Sequence, residues 1–260
     1  MRRKTLVALA AWVTASAALA QSNSLPSLGN SESEARWEAV GRLDIGADRF
    51  CNAALISPNV VMTSAHCLFD PETGVRLDAG SLEFSAGWRN GRASALRRVR
   101  HTVIHPDFDP DTRNANIALV ELDRAIDSRM VAPLVPAEAP GAGAEIQLVG
   151  FDAALSPAVA ETCALTTLEK GQITTTCATD PGVNGAIAVA MIDGSDRVVS
   201  LVSTKTEKTG ATGVSLGEPL LVVQQVLLES RNTFGQTARR GTLFQSNADR
   251  KQTGAKFVKP

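Results

Sequence analysis

From Trp37 onward the chain is a succession of short apolar runs broken by turn-forming residues. Ala39-Val40, Ala53–Ile56, Val60–Met62, Leu82–Phe84, Val99–Val103 and Ile117–Leu122 follow one another, with turns at Pro71-Glu72-Thr73-Gly74, Asn90-Gly91 and His105-Pro106. Runs this short leave no room for helices between them, so they predict a sandwich or barrel rather than β-α-β units. Asn90-Gly91 is a strong hairpin signal, because both residues accept the left-handed backbone of a two-residue turn. Pro133 to Gly143, which also holds Pro136, Pro140 and Gly141, predicts the connection between two lobes, about 37–135 and 142–217. The second lobe has its own runs at Glu145–Val149, Cys163–Leu168, Gln172–Cys177, Ala186–Ile192 and Val198–Ser203. Glu218-Pro219 then opens Leu220 to Leu228, with proline in a tolerated first-turn position, and predicts a helix over about 218–231.

The two ends break the pattern. Arg2-Arg3-Lys4, the apolar stretch Leu6 to Leu19 and the small-residue Ala18-Leu19-Ala20 predict an export signal at 1–20, cleaved after Ala20. It is short for a membrane span. Residues 21–36, rich in Ser, Asn, Gly, Pro and Glu, predict a flexible leader before a domain at 37–232. Residues 233–260 carry Arg239, Arg240, Arg250, Lys251, Lys256 and Lys259 against one acid, Asp249. That composition predicts a disordered basic tail, with a tether to an acidic partner or membrane surface as the alternative.

Composition adds two constraints. A net charge of −1 over 260 residues argues against a nucleic-acid role for the fold. Export would put the four cysteines in an oxidising compartment, where disulfides are expected. Three pairings are open to four cysteines, and the local choice is Cys51–Cys67 with Cys163–Cys177. Zinc is the alternative use, but no C-x-x-C pair occurs, so neither a metal nor another cofactor is expected.

The candidate chemistry lies in Phe50 to Cys67, FCNAALISPNVVMTSAHC. Two apolar strands flank the turn Ser57-Pro58-Asn59, and a small-residue turn then presents His66 between Cys51 and Cys67. The segment T-S-A-H-C resembles the T-A-A-H-C motif of trypsin/chymotrypsin-like serine peptidases, and the likeness extends in order from about Trp37 to Leu228. Trp37-Glu38-Ala39-Val40-Gly41-Arg42-Leu43 and Ala86-Gly87-Trp88-Arg89-Asn90-Gly91-Arg92 look like strands of the secreted bacterial subgroup. The resemblance implies an all-β fold of two six-stranded antiparallel β-barrels with a C-terminal helix. It implies that His66 occupies the position of the catalytic base.

The other catalytic positions differ. After His105-Pro106, the strand Asn116-Ile117-Ala118-Leu119-Val120-Glu121-Leu122 is similar to the family's D-I-A-L-L-x-L, with Asn116 where the orienting aspartate belongs. An amide can bond to imidazole but carries no charge to stabilise imidazolium. The family's G-x-S-G turn is matched by Gly182-Val183-Asn184-Gly185, with Asn184 at the nucleophile's place. An asparagine amide does not form an acyl-enzyme by the usual route. Backbone N–H groups of Gly182 and Asn184 could still form an oxyanion-type nest, which needs no side chain. Asp109 or Asp111 as a substitute carboxylate, and Ser64 or Ser195 as a displaced nucleophile, are the alternatives within the chain.

The expectation is a secreted or periplasmic bacterial peptidase homologue that is not an enzyme and keeps a cleft for a peptide or protein ligand. An active serine endopeptidase with a displaced nucleophile, or a structural envelope protein that makes no use of the cleft, are the competing expectations.

Overall fold

The computed structural model describes residues 36–46, 49–151, 159–169, 172–177, 185–206, 210–215 and 219–232. The expected export signal, leader and basic tail lie outside them, as do Gly182 and Asn184.

Twelve strands form two closed antiparallel barrels of six. The first contains β1 (Val40–Ile45), β2 (Arg49–Ser57), β3 (Val60–Thr63), β4 (Leu82–Ala86), β5 (Ala95–Ile104) and β6 (Ala118–Leu122), in the order β1-β2-β3-β6-β5-β4. The second contains β7 (Glu145–Gly150), β8 (Val159–Glu169), β9 (Gln172–Thr175), β10 (Ile187–Ile192), β11 (Ser195–Thr206) and β12 (Gly210–Ser215), in the order β10-β11-β12-β9-β8-β7. Helix α1 spans 219–232. Among the described residues, closure pairs every strand on both sides and leaves no open edge to recruit another chain.

The six expected runs of the first lobe each became a strand. β1 is longer than Ala39-Val40 suggested, because Arg42 and Asp44 take the outward positions between buried Leu43 and Ile45. In the second lobe the apolar runs marked five strands and the barrel has six. The additional one, β12, reads GATGVS and has no apolar run to reveal it; pairing with β9 and β11 creates it. At Asn90-Gly91 the expected turn is present, with φ of 47° and 78°. The flanking Arg89 and Arg92 exchange both backbone hydrogen bonds, at 2.7 and 2.8 Å.

One buried cluster fills the first barrel and continues through Val149, Phe151, Ile187, Val189, Val198 and Leu201 into the seam between the barrels. Leu220, Val223 and Leu227 join it, so α1 buries a stripe at helical spacing. A separate cluster around Ile146, Leu165, Ile173 and Val199 fills the second barrel. The connecting segment lies along the seam as a bonded strap. Leu134 donates to the Leu55 carbonyl at 2.9 Å, and Ala137 donates to that of Val198 at 2.8 Å.

Across this seam Asn52, fully buried in β2, reaches Phe151 beyond the end of β7. Its Oδ1 accepts from the Phe151 N–H at 2.6 Å, and its Nδ2 donates to the Phe151 carbonyl at 3.3 Å. A side-chain amide thus takes the place of a strand neighbour between two sheets that have no edge to offer. Replacing Asn52 with alanine leaves two buried backbone groups without these partners, at about 1–3 kcal/mol each. Urea unfolding of Asn52→Ala is expected to show a loss of roughly 3 kcal/mol with an unchanged m-value.

Candidate functional site

β3 ends at Thr63, and the chain tightens into a 3-10 turn, Ala65–Leu68, that carries His66. Small residues permit the tight turn, while Ala65 and Leu68, both fully buried, anchor it. Two further ties fix it to β2. Thr63 Oγ1 donates to the Asn52 carbonyl at 2.8 Å, and a disulfide joins Cys67 to Cys51. Closing this 16-residue separation covalently stabilises the fold by about 3 kcal/mol, chiefly by restricting the unfolded chain. The second disulfide, Cys163–Cys177, joins β8 to the residues after β9.

Asn116 arrives from the opposite side, at the end of the loop that follows β5. Arg113 and Ala115 in that loop have left-handed φ of 58° and 47°. Such geometry costs about 1–2 kcal/mol in a residue with a Cβ. Ile117 closes the turn by donating to the Ala115 carbonyl at 2.7 Å, and His105 donates to that of Ile117 at 3.1 Å. The reversal delivers Asn116, with no exposed surface, against His66.

The contacts of Asn116 determine the protonation pattern of the imidazole. Asn116 Oδ1 accepts from the His66 backbone N–H at 3.0 Å, which fixes which end of the amide is oxygen. Nδ2 then stands 2.9 Å from His66 Nδ1. An amide nitrogen can only donate, so this nearer contact favours Nδ1 as acceptor and, in the neutral ring, the proton on Nε2. Nε2 in turn stands 3.7 Å from Cys67 Sγ, toward which its N–H can donate. Oδ1 is also 3.2 Å from Nδ1, which gives a protonated ring one weak acceptor.

Burial, followed by the charge of Arg113, pushes the His66 pKa down to about 4, while the Asn116 contact pulls the other way. The ring is therefore neutral at pH 7. The tautomer favoured by the Asn116 amide nitrogen places its proton on the nitrogen that a base would need free.

Neither substitute carboxylate is among the groups that shift its pKa. Asp109 accepts from the backbone N–H groups of Asp111 and Thr112 at 2.8 and 3.2 Å, capping its own turn, and Asp111 is exposed. The substitute hydroxyls fare no better. Ser64 is fully buried, with Oγ directed at the Val202 carbonyl at 3.5 Å. Ser195 pairs with Ile192 across the turn at the far end of β10, about 17 Å along the strand from Ile187.

The neighbour of the expected nucleophile position is brought to this place. Gly185, at φ 78°, donates to the Val202 carbonyl at 3.0 Å and lies against β2. A Cβ there would meet the Asn52 carbonyl oxygen at 2.9 Å and Ser64 Oγ at 3.5 Å, so both conformation and space select glycine. Cys51, His66 and Cys67 are grouped closely enough to suggest metal ligands, but both sulfurs are joined in the disulfide and offer no thiolate.

Sequence reasoning missed Asn52 and Arg113. Asn52 left a signal, as a lone polar residue inside an apolar run, which calls for a buried partner. Arg113 left none, because its effect on His66 depends on the loop's course.

The trypsin family model matches residues 28–194. Trypsin from Phaedon cochleariae is 33% identical over 100 residues, 37% of this chain and 36% of that protein. Trypsin 5G1 from Aedes aegypti is 28% identical over 117 residues, 44% of this chain and 42% of that protein. Inactive serine protease scarface from Drosophila melanogaster is 28% identical over 95 residues, 36% of this chain and 14% of that protein. The chain spans less than half the length of each of these relatives.

Because the folded pKa of His66 lies below its ordinary 6.5, the unfolded chain binds the extra proton first. This group's contribution is fully present above about pH 6.5 and declines as the pH falls toward 4, by up to roughly 3 kcal/mol. Urea unfolding across that window should show the decline in the native protein and a flatter profile in His66→Gln. NMR should show the ring titrating near 4 with the proton on Nε2.

Proposed function

Since the chain belongs to the trypsin family of serine peptidases, we propose that it is an exported, catalytically silent member whose cleft holds a peptide or protein segment. The observation that carries this reading is the donor end of the Asn116 amide on His66 Nδ1. In an active triad the histidine receives the serine proton at Nε2 while a carboxylate holds Nδ1–H and stabilises the cation. Here the nearer contact favours the tautomer with the proton on Nε2. Proton uptake would create a cation with no carboxylate partner among the groups acting on it, in the field of Arg113.

The sequence supplies the second obstacle. Asn184 stands where the nucleophile belongs, and its amide has no acidic hydroxyl to surrender. The burial of Ser64 and the remoteness of Ser195 weigh against a displaced nucleophile. The Drosophila relative, which its name describes as inactive, is consistent with a silent outcome within this family.

Binding does not require the missing groups. Gly182 and Asn184 would supply backbone donors to a ligand carbonyl or carboxylate, and the wall carrying His66 is held by the disulfide and the seam contacts. Export is supported by the N-terminal pattern and by the two disulfides, which persist in oxidising compartments. The secreted or periplasmic space of a bacterium fits both, and the strand signatures at Trp37–Leu43 and Ala86–Arg92 support the bacterial subgroup. Among the described residues no helix is long and apolar enough to cross a membrane.

The test is hydrolysis of a fluorogenic peptide library by the native protein and by Asn116→Asp/Asn184→Ser. No turnover is expected from the native protein and measurable turnover from the double variant. Asn184→Ser alone should run about 10⁴-fold below the double variant, the known effect of an asparagine at the aspartate position in this family. Cleavage by the native protein would overturn the reading.

A further inference from the structure

The sulfurs of Cys51 and Cys67 and a ring nitrogen of His66 lie within 4.8 Å of one another, and among the described residues no other three such side chains are grouped this way. His66 Nε2 stands 3.7 Å from Cys67 Sγ. A zinc ion binds sulfur at about 2.3 Å and imidazole at about 2.0–2.1 Å, which in a tetrahedron sets the two ligand atoms about 3.6 Å apart. The ring and Cys67 are therefore already at the spacing of two ligands on one ion. The S–S bond alone withholds the thiolates.

Opening that bond leaves the frame tied. Cys51 lies in β2, paired with Leu43 of β1, and β2 and β3 pair Ala53 with Thr63. The Thr63 hydroxyl still bonds the Asn52 carbonyl at 2.8 Å, and the His66 N–H still bonds Asn116 Oδ1 at 3.0 Å. Ala65 and Leu68, both fully buried, keep the turn seated. His66 is half-buried, so an ion can reach the ring from solvent. A ligating imidazole also needs an acceptor for the proton on its other nitrogen. Asn116 Oδ1, 3.2 Å from Nδ1, is that acceptor. Binding through Nε2 moves the ring proton to Nδ1 and gives up the nearer contact with the Asn116 amide nitrogen.

We propose that reduction of the Cys51–Cys67 disulfide turns this unit into a zinc site, with both thiolates and His66 Nε2 as ligands and water in the fourth position. Thiolates and imidazole together select zinc over calcium or magnesium. A dithiol supplies the reduction. Its two sulfurs join as the protein's S–S bond breaks, and each protein sulfur takes up one proton. Zinc then displaces both protons to solvent. The site rests on the geometry around His66 and stands whether or not the cleft is catalytically silent.

The test uses the full mature chain, reduced by a water-soluble phosphine without oxygen and titrated with Co²⁺ as a coloured stand-in for zinc. Far-ultraviolet circular dichroism is expected to be unchanged by reduction. The reduced protein should bind one Co²⁺, with thiolate charge-transfer absorbance and the visible bands of tetrahedral cobalt, both bleached by equimolar Zn²⁺. The oxidised protein should show neither. Asn116→Asp should tighten binding about tenfold, because a carboxylate holds Nδ1–H more firmly, and His66→Gln should weaken it by about tenfold or more. Cys51→Ser/Cys67→Ser, which keeps Cys163 and Cys177, should lose the cobalt bands. The same bands in that variant, affinity indifferent to His66→Gln and Asn116→Asp, or unfolding on reduction would overturn the proposal.

Discussion

Two closed barrels have no sheet edges with which to join, and the pairing of the Asn52 amide with the Phe151 backbone answers that constraint. A primary amide offers one acceptor and two donors, so it can match a peptide N–H and C=O as a strand neighbour would. The rest of the site is referred to this point. The Thr63 hydroxyl that steadies the His66 turn bonds to the Asn52 carbonyl, and the Gly185 turn from the other barrel rests against the same oxygen. Elements far apart in the chain therefore meet at one fully buried residue, and the seam's apolar cluster supplies energy without having to supply register. Apolar burial is non-directional, whereas an amide pairing tolerates only small displacements before its bonds fail.

The same functional group explains the chemistry at His66. Asn116 and an aspartate have nearly the same shape, so replacing one by the other preserves the position of the loop and the ring. What changes is which atom carries hydrogen. A carboxylate can only accept and holds the proton on Nδ1; the amide here presents its nitrogen at 2.9 Å and its oxygen at 3.2 Å, and the nearer contact favours the proton on Nε2. A donor therefore faces Nδ1 where a carboxylate would present an acceptor, and burial and Arg113 lower the ring's proton affinity further. A base suited to neutral pH has a pKa near 7, and a ring at about 4 is too weak for that work.

How much could be read from the chain depended on whether the information was local. The His66 turn and the Asn90-Gly91 hairpin are short motifs whose residue types encode their own conformation, and each is found as expected. The strand expected from Asn116 begins at Ala118, because Asn116 ends a tight loop held by the Ile117 N–H on the Ala115 carbonyl. β12 was invisible because Gly210–Ser215 has no apolar pattern and is a strand only through its neighbours. The partner of Asn52, though not its need for one, and the role of Arg113 were invisible for a related reason. Asn52 acts on a residue 99 positions away, and no spacing rule spans that distance. Arg113 acts through a loop whose left-handed residues are arginine and alanine, types that give no turn signal.

The neutral amide also has a consequence for stability. At Asn116 no surface is exposed, so a carboxylate there would lose most of its hydration. An active triad retains such a buried charge because the developing imidazolium needs it, and the fold bears the cost before any substrate arrives. In this chain the amide keeps both the bond to the His66 backbone and the contact with the ring, without bringing a charge out of water. The strained residues Arg113 and Ala115 remain. They hold the loop that brings Asn116 against His66, and local strain beside a site persists only where surrounding contacts enforce it. An uncharged residue at this buried position can therefore leave the fold more stable than a carboxylate there would.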